Sequence, residues 1–345
     1  MQGPPGHELH GVTGAHLYED GSLVVANGGS YELRFFDGTG GFLHSSGGSG
    51  DGPGEYRQIV LLRSFARDSL FVYDGRQARA TILSHDGRLA RSFGMPPAAG
   101  FVVVEDVFPD GRSVASVVTG FRSDQTHTGV HRPNVRLVEL DREGTVVRDL
   151  GEFPGDESYA LAESGSMIVG PLAFGASLHV AVVGNDGIAI GATDEEHLRI
   201  HTAGAGEEAP HGLARRATTE RDFQRAMNAY LDDFAPDARL IEARRFDDMP
   251  RVEARPYFDE LRGDPAGNVW VRHYSGPEDP TRLWTVFDGS GAVVATARTP
   301  DDVEVLEIGR DHVVVLSRDV LDVERVEVLS LRRQGCAVSQ RADGG

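Results

Sequence analysis

Short apolar stretches recur along the whole chain, separated by polar turns rich in Asp-Gly. SLVVANG, Ser22–Gly28, and SLFVYDG, Ser69–Gly75, read as buried strands. At the offset of 47 that carries Leu23 onto Leu70, the two frames match without a gap: Asn27 falls on Asp74, Phe36 on Leu83, Gly40 on Gly87, Phe42 on Leu89 and Gly47 on Gly94. Asp20-Gly21, Asp37-Gly38, Asp86-Gly87, Asp110-Gly111 and Asp288-Gly289 flank such stretches, and Asp-Gly supplies the positive φ that tight hairpins need. A period in the forties with four short strands per unit predicts stacked sheets, because one such sheet cannot bury its own faces.

The pattern therefore predicts an all-β fold, a six-bladed β-propeller of four-stranded antiparallel blades. Blade one runs from about Val12 to Ser46 and blade two from Ile59 to Phe93. Blade three is VVVEDVFPDGRSVASVV followed by VRLVELDREGTVVRDLG, and blade four is LAFGASLHVAVVGNDGIAIGATDEEHLRIHTAG. Blade five is YFDELRGDPAGNVWVRHY with LWTVFDGSGAVVATAR, and blade six is VEVLEIGRDHVVVLSRD with VERVEVLSL. Blade six shows three strands, so a fourth is expected from the N-terminus, around His7 to Val12 or earlier. Residues 1–331 are expected to form one propeller and 332–345 a flexible tail.

Two interruptions break the period. Val118 to Asn134 lies between the second and third strands of blade three. A longer insertion, about 207–255, separates blades four and five and is expected to hold one α-helix. Thr219 is its N-cap, with Asp222 three residues on. Phe223, Met227, Tyr230, Leu231 and Phe234 form one apolar face, and Pro236 ends the helix. That face either packs on the propeller or serves as a lid or partner-docking surface.

First-to-second and third-to-fourth strand turns share one end of a propeller; second-to-third turns and crossovers share the other. The first set here is short. The second holds the glycine loop Gly47–Tyr56, the 118–134 loop, Phe153–Ser164, the helical insertion and His273–Leu283. Long loops on a rigid scaffold are where binding usually lies, so the long-loop end is the expected functional mouth.

The 345 residues carry 34 basic and 53 acidic side chains, a net charge of −19, with no lysine. That charge repels phosphate backbones and argues against a nucleic-acid partner. The single cysteine, Cys336, rules out an intramolecular disulfide. No apolar run is long enough to cross a membrane. QGPPGHELHG after Met1 lacks the apolar core of a signal peptide.

The loop Gly50, Asp51, Gly52, Pro53, Gly54, Glu55, Tyr56, the strand ending at Asp74 and the turn Asp86-Gly87 resemble the NHL-type repeat of six-bladed propellers. The whole chain is similar to a bacterial six-bladed family of exported, often lipid-anchored proteins, in which strands like Val269-Trp270-Val271 and Trp284–Asp288 also recur. It departs from the repeat at Gly75-Arg76-Gln77-Ala78-Arg79, where an asparagine and an arginine-isoleucine pair are usual, and blades three to six lack the glycine loop. The resemblance implies a periplasmic or extracellular location. It names no activity, since one fold hosts many.

Candidate chemistry is sparse. The glycine loop is followed by neither a helix nor Lys-Ser/Thr, so it is no phosphate loop; its glycines suit a blade crossover. Glu55 and Arg57 flank an inner strand and either reach the mouth or pair with each other. His127 and His131, near Asp124, are of zinc-ligand type without an evident third ligand. Arg272, His273 and Tyr274 follow Trp270, itself read as core, into a long loop. His16 and Asn27 are the polar residues of blade one near the mouth. Calcium-dependent six-bladed lactonases hold their metal with Glu, Asn and Asp in the channel. Glu55, Asn27, Asp74 and Asp106 are of those types but match none of that family's motifs, so no ligand role carries over. No G-x-S-x-G elbow is present. The candidate ligand-binding set at the channel mouth is thus Asn27, Glu55, Arg57, Asp74, Arg76, His127, His131, Arg272, His273 and Tyr274. The leading expectation is a non-catalytic propeller that binds a small molecule or a protein outside the cytoplasm. The alternative is a metal-assisted hydrolase, lactonase or lyase using a divalent cation such as calcium.

Overall fold

The structure, a computed structural model, describes residues 8–95, 100–119, 127–163, 165–202, 205–276 and 279–332. Among these, strands form seven antiparallel sheets, five of four strands and two of three. The first holds β1–β4 (Val12–Leu17, Leu23–Asn27, Glu32–Phe36, Phe42–Gly47) and the second β5–β8 (Ile59–Phe65, Ser69–Asp74, Arg79–Ser84, Leu89–Gly94). The third joins β9 (Gly100–Val107), β10 (Ser113–Thr119), β12 (Asn134–Leu140) and β13 (Val146–Pro154). A small sheet, β11 (Gly129–His131), β14 (Ser158–Glu163) and β15 (Ser166–Pro171), interrupts the series. Then come β16–β19 (Leu178–Val183, Gly187–Ala192, His197–Thr202, Ala205–Pro210) and β20–β23 (Phe258–Gly263, Val269–His273, Thr281–Phe287, Val293–Pro300). The last sheet is β24–β26 (Val303–Ile308, His312–Arg318, Glu324–Ser330).

Burial explains the apolar runs. β2 is buried at every position and β6 at all but its first, while the outer strands β4 and β8 have no fully buried residue. A strand covered on both faces reads as a continuous apolar stretch rather than an alternation. Each pair of successive sheets encloses its own core. Val24, Leu33, Leu62 and Val72 lie between the first two sheets, Phe108, Leu137 and Ile188 between the third sheet and β16–β19, and Trp270, Trp284 and Val315 between the last two. Another core joins the last sheet to the first: Leu23, Val25 and Phe36 pack against Leu306, Val314 and Val326. Each such side chain contributes about 1.5–3 kcal/mol on burial. The first and last sheets are thus held in one circuit.

The first strands follow the same circuit. β1 neighbours β5, β5 neighbours β9, then β9–β16 and β16–β20. The Arg262 guanidinium on β20 donates to the Leu306 carbonyl on β24 (3.2 Å), and β24 neighbours β1. At this final seam the Val12 amide also donates to Glu324 (2.9 Å). The expected N-terminal fourth strand is not formed by Glu8–Val12: Val12 opens β1 and pairs with Asn27. His7 and the residues before it lie outside the described residues, as does 333–345 of the expected tail.

The insertion holds two helices instead of one, α1 (Glu220–Asp232) and α2 (Pro236–Asp248). The Thr219 cap is present with its reciprocal box: the Asp222 amide donates to Thr219 Oγ1 (3.2 Å) and the Thr219 amide to Asp222 (2.9 Å). Pro236 starts a helix where the sequence suggested a stop, because at the first helical turn its missing N–H has no partner to lose. α2 carries no clear apolar stripe, which is why periodicity missed it. Phe223, Met227 and Tyr230 of α1 pack with Phe246 of α2 over Tyr159 and Leu172, so the apolar face is turned inward. The Asp-Gly turns also differ in detail. In 37–41 and 288–292 the positive φ falls on Gly40 and Gly291, while Asp37 and Asp288 accept the amides two and four residues on.

Candidate functional site

A cavity of about 870 Å³ opens at the centre of the circuit. It is lined by the ends of the first strands β1, β5, β9, β16, β20 and β24 and by the short turns that follow them. Because every first strand enters this end and every long crossover enters the other, the cavity lies opposite the long loops. The sequence put the functional mouth at the long-loop end; this cavity lies at the other end. The closed circuit, not loop length, creates the concave surface.

Strand edges at the centre of a ring carry backbone groups without a neighbouring strand, and buried groups of this kind need partners. Side chains supply several. Asp106 accepts the Val182 amide (2.9 Å), its own neighbour Val107 (3.0 Å) and Arg63 Nε (2.7 Å). Arg63 also donates to the Leu62 carbonyl (3.0 Å). Glu105 is the extra residue of a bulge in β9, which re-aims side chains beside sites. It accepts from Ser116, and burial raises its pKa above the usual range.

On the seam side, one carboxylate serves two imidazoles. Glu307 lies 2.5 Å from His16 Nδ1 and 3.2 Å from His312 Nε2, with side-chain exposures of only 18–23% across the three. Burial alone would raise Glu307; the hydrogen bonds from His16 and His312 outweigh it and hold the carboxyl at about 2. The same bond to Glu307, opposed by burial and aided by Asp311, raises His312. Ser64 Oγ lies 3.2 Å from His16 Nδ1. Tyr18 stacks edge-on against the His16 ring at 4.9 Å.

The ten sequence candidates lie elsewhere; none lines this cavity. Asn27 and Asp74, equivalent in the repeat, do equivalent structural work. Asn27 accepts the His10 amide (2.7 Å) and donates to Ser30, while Asp74 accepts the amides of Arg57, Gln58, Arg76 and Gln77. Arg57 pairs with Asp51 (2.7 Å), and Glu55 folds back onto the Gly52 amide (2.8 Å). Arg76 is exposed. The His127 and His131 rings sit 4.7 Å apart, with His131 bonded to the His127 carbonyl (3.0 Å); Asp124 lies outside the described residues. Arg272 is held by Asp259 (2.6 Å) and Glu260 (2.5 Å). His273 meets Thr285 (2.7 Å), and burial lowers its pKa. Tyr274 packs edge-on against Phe174 at 6.0 Å. Of the residues singled out from the sequence, His16 and Asp106 line the cavity; Glu307, His312, Arg63 and Ser64 line it too and were not among them.

The calcium-type set does not converge. Asn27, Glu55, Asp74 and Asp106 are each engaged by their own surroundings, and among the described residues no group of three or more His, Cys, Asp or Glu side chains is placed to hold a metal.

No protein-family model matches the chain, and no curated protein matches it. Solved structures do. A protein described as exported, from Bacteroides fragilis, overlays with a TM-score of 0.50 at 14% identity, covering 92% of this chain and 82% of its own. A member of the duf4221 family from Bacteroides vulgatus overlays with a TM-score of 0.50 at 8% identity, covering 92% of both chains. A streptogramin B lyase overlays less closely, with a TM-score of 0.45 at 11% identity, covering 94% of this chain and 84% of its own. At such identities likeness speaks for fold alone, and with the circuit of sheets described above it makes this chain a β-propeller.

Proposed function

We propose that the chain is a six-bladed propeller that binds a small organic molecule in its central cavity, outside the cytoplasm, without performing chemistry on it. The observation that carries this reading is the cavity itself, about 870 Å³, to which each of the first strands contributes. That volume is in the usual range for small-molecule sites. Six cores between successive sheets support the blade count, with β11, β14, β15 and the two helices as an insertion on the ring. Likeness to a protein described as exported supports the location.

The hydrolase reading has one observation in its favour, the contact of His16 with both Ser64 and Glu307. A nucleophile relay needs hydroxyl and carboxylate on opposite ring nitrogens. Here both lie against Nδ1, which supports a clasp more than a relay.

A thermal-shift screen of small organic molecules tests the proposal, because a ligand specific for the native state raises stability. Compounds that raise the melting temperature of the wild type should shift Ser64→Trp less, because its indole intrudes into the cavity beside His16 and Arg63, once circular dichroism shows that variant folded. Equal shifts in both proteins would place binding elsewhere.

A further inference from the structure

Resting on the cavity as the binding site, we infer that its ligand is a small organic carboxylate, received by the guanidinium groups of Arg63, Arg67 and Arg310. In a chain of net charge −19 this runs against the overall sign, and it follows from which polar groups in the cavity are already used.

Most of the acceptors are spent. Asp106 takes three donors. Glu307 takes two imidazoles. Asp264 accepts from the Trp270 indole (3.0 Å), both nitrogens of Asn268 and the Ala266 amide. Asp311 faces His312 (3.2 Å) and Glu105 accepts from Ser116. Of the lining carboxylates only Glu19 has no hydrogen-bond or ion-pair partner among the described residues.

The donors are not spent. Arg67 and Arg310 line the cavity, are exposed, and have no hydrogen-bond or ion-pair partner among the described residues. Arg63 uses Nε and one terminal nitrogen, leaving the other. A guanidinium presents a planar fork that matches a carboxylate with two parallel bonds.

The turn that carries Arg67 is built at a conformational cost. Four of the six turns after first strands use a glycine at positive φ: Gly21 (85°), Gly111 (91°), Gly184 (59°) and Gly267 (90°). The β5–β6 turn uses Ala66 (49°) and Arg67 (66°) instead. Non-glycine residues pay for the left-handed region, so a side chain is kept where glycine is the unstrained choice. That side chain is the rim guanidinium.

Calorimetric titration of the full chain with succinate, citrate, inorganic phosphate, sorbitol and putrescine tests the assignment, using wild type and the exposed double variant Arg67→Ala/Arg310→Ala. Succinate or citrate should bind the wild type and lose about tenfold in affinity in the double variant, as expected for lost charge-assisted bonds, with phosphate weaker than either. Phosphate binding more tightly than both carboxylates would overturn the ligand class. Carboxylate binding unchanged in the double variant would overturn the arginine assignment. Sorbitol or putrescine binding in place of the carboxylates would overturn the inference while leaving the cavity as a site. If none of the five probes binds and the screen with Ser64→Trp finds nothing either, both readings fail.

Discussion

Replacing Glu307 by glutamine isolates the clasp at the ring's final seam. The wild-type carboxylate accepts from His16 (2.5 Å) on β1 and His312 (3.2 Å) on β25, tying the first sheet to the last. Two charge-assisted bonds, each about 1.5–3 kcal/mol when well buried, are partly screened at 18–23% exposure, and the amide still offers one acceptor. The expected loss is about 2 kcal/mol near pH 5.5. Its pH dependence follows from the shifts. Glu307 is depressed to about 2, so its contribution is present above the unfolded glutamate value and lost as pH falls toward 2. His312 is raised, so its contribution is full below the unfolded histidine value and lost as pH rises through the folded one. The clasp is strongest between roughly pH 4.5 and 6.5. Urea unfolding of wild type and Glu307→Gln at pH 5.5 and 8.5 should show the larger difference at 5.5, with amide exchange accelerating first in β1 and β24. Equal destabilisation at both pH values, or exchange that accelerates first in β9 and β10, would refute the reasoning.

Other consequences are local. Arg67→Gly should raise the urea midpoint by an amount equivalent to about 1 kcal/mol, since glycine relieves the positive φ, while weakening any cavity ligand. Trp270→Phe removes the indole donor to Asp264 and part of a core, and unfolding should show a loss of about 2–3 kcal/mol. Thr219→Ala breaks the capping box of α1; it should cost about 1 kcal/mol, read as faster amide exchange in 220–232 with β1–β8 unchanged.

The repeat was legible because it is local. Leu23 and Leu70, Phe36 and Leu83 are buried at equivalent places, and Gly40 and Gly87 both take positive φ. The cavity was not legible because it depends on closure: His16 and Glu307 are 291 residues apart. Yet a signal existed. The offset of 47 that aligns Leu23 with Leu70 also carries His16 onto Arg63, and Asp106, Arg262 and Glu307 stand near the same end of β9, β20 and β24. Polar residues near the end of a first strand, repeated in several blades, face the centre of the ring. Asn27 and Asp74, singled out as polar residues near the long-loop mouth, both accept backbone amides in the structure.

The central claim is that the cavity end, not the long-loop end, receives the ligand. Amide hydrogen exchange with and without the most stabilising compound of the screen tests it directly. New protection is expected in the turns 17–22, 65–68 and 308–312. Protection confined to 47–58 and 273–276 would contradict it.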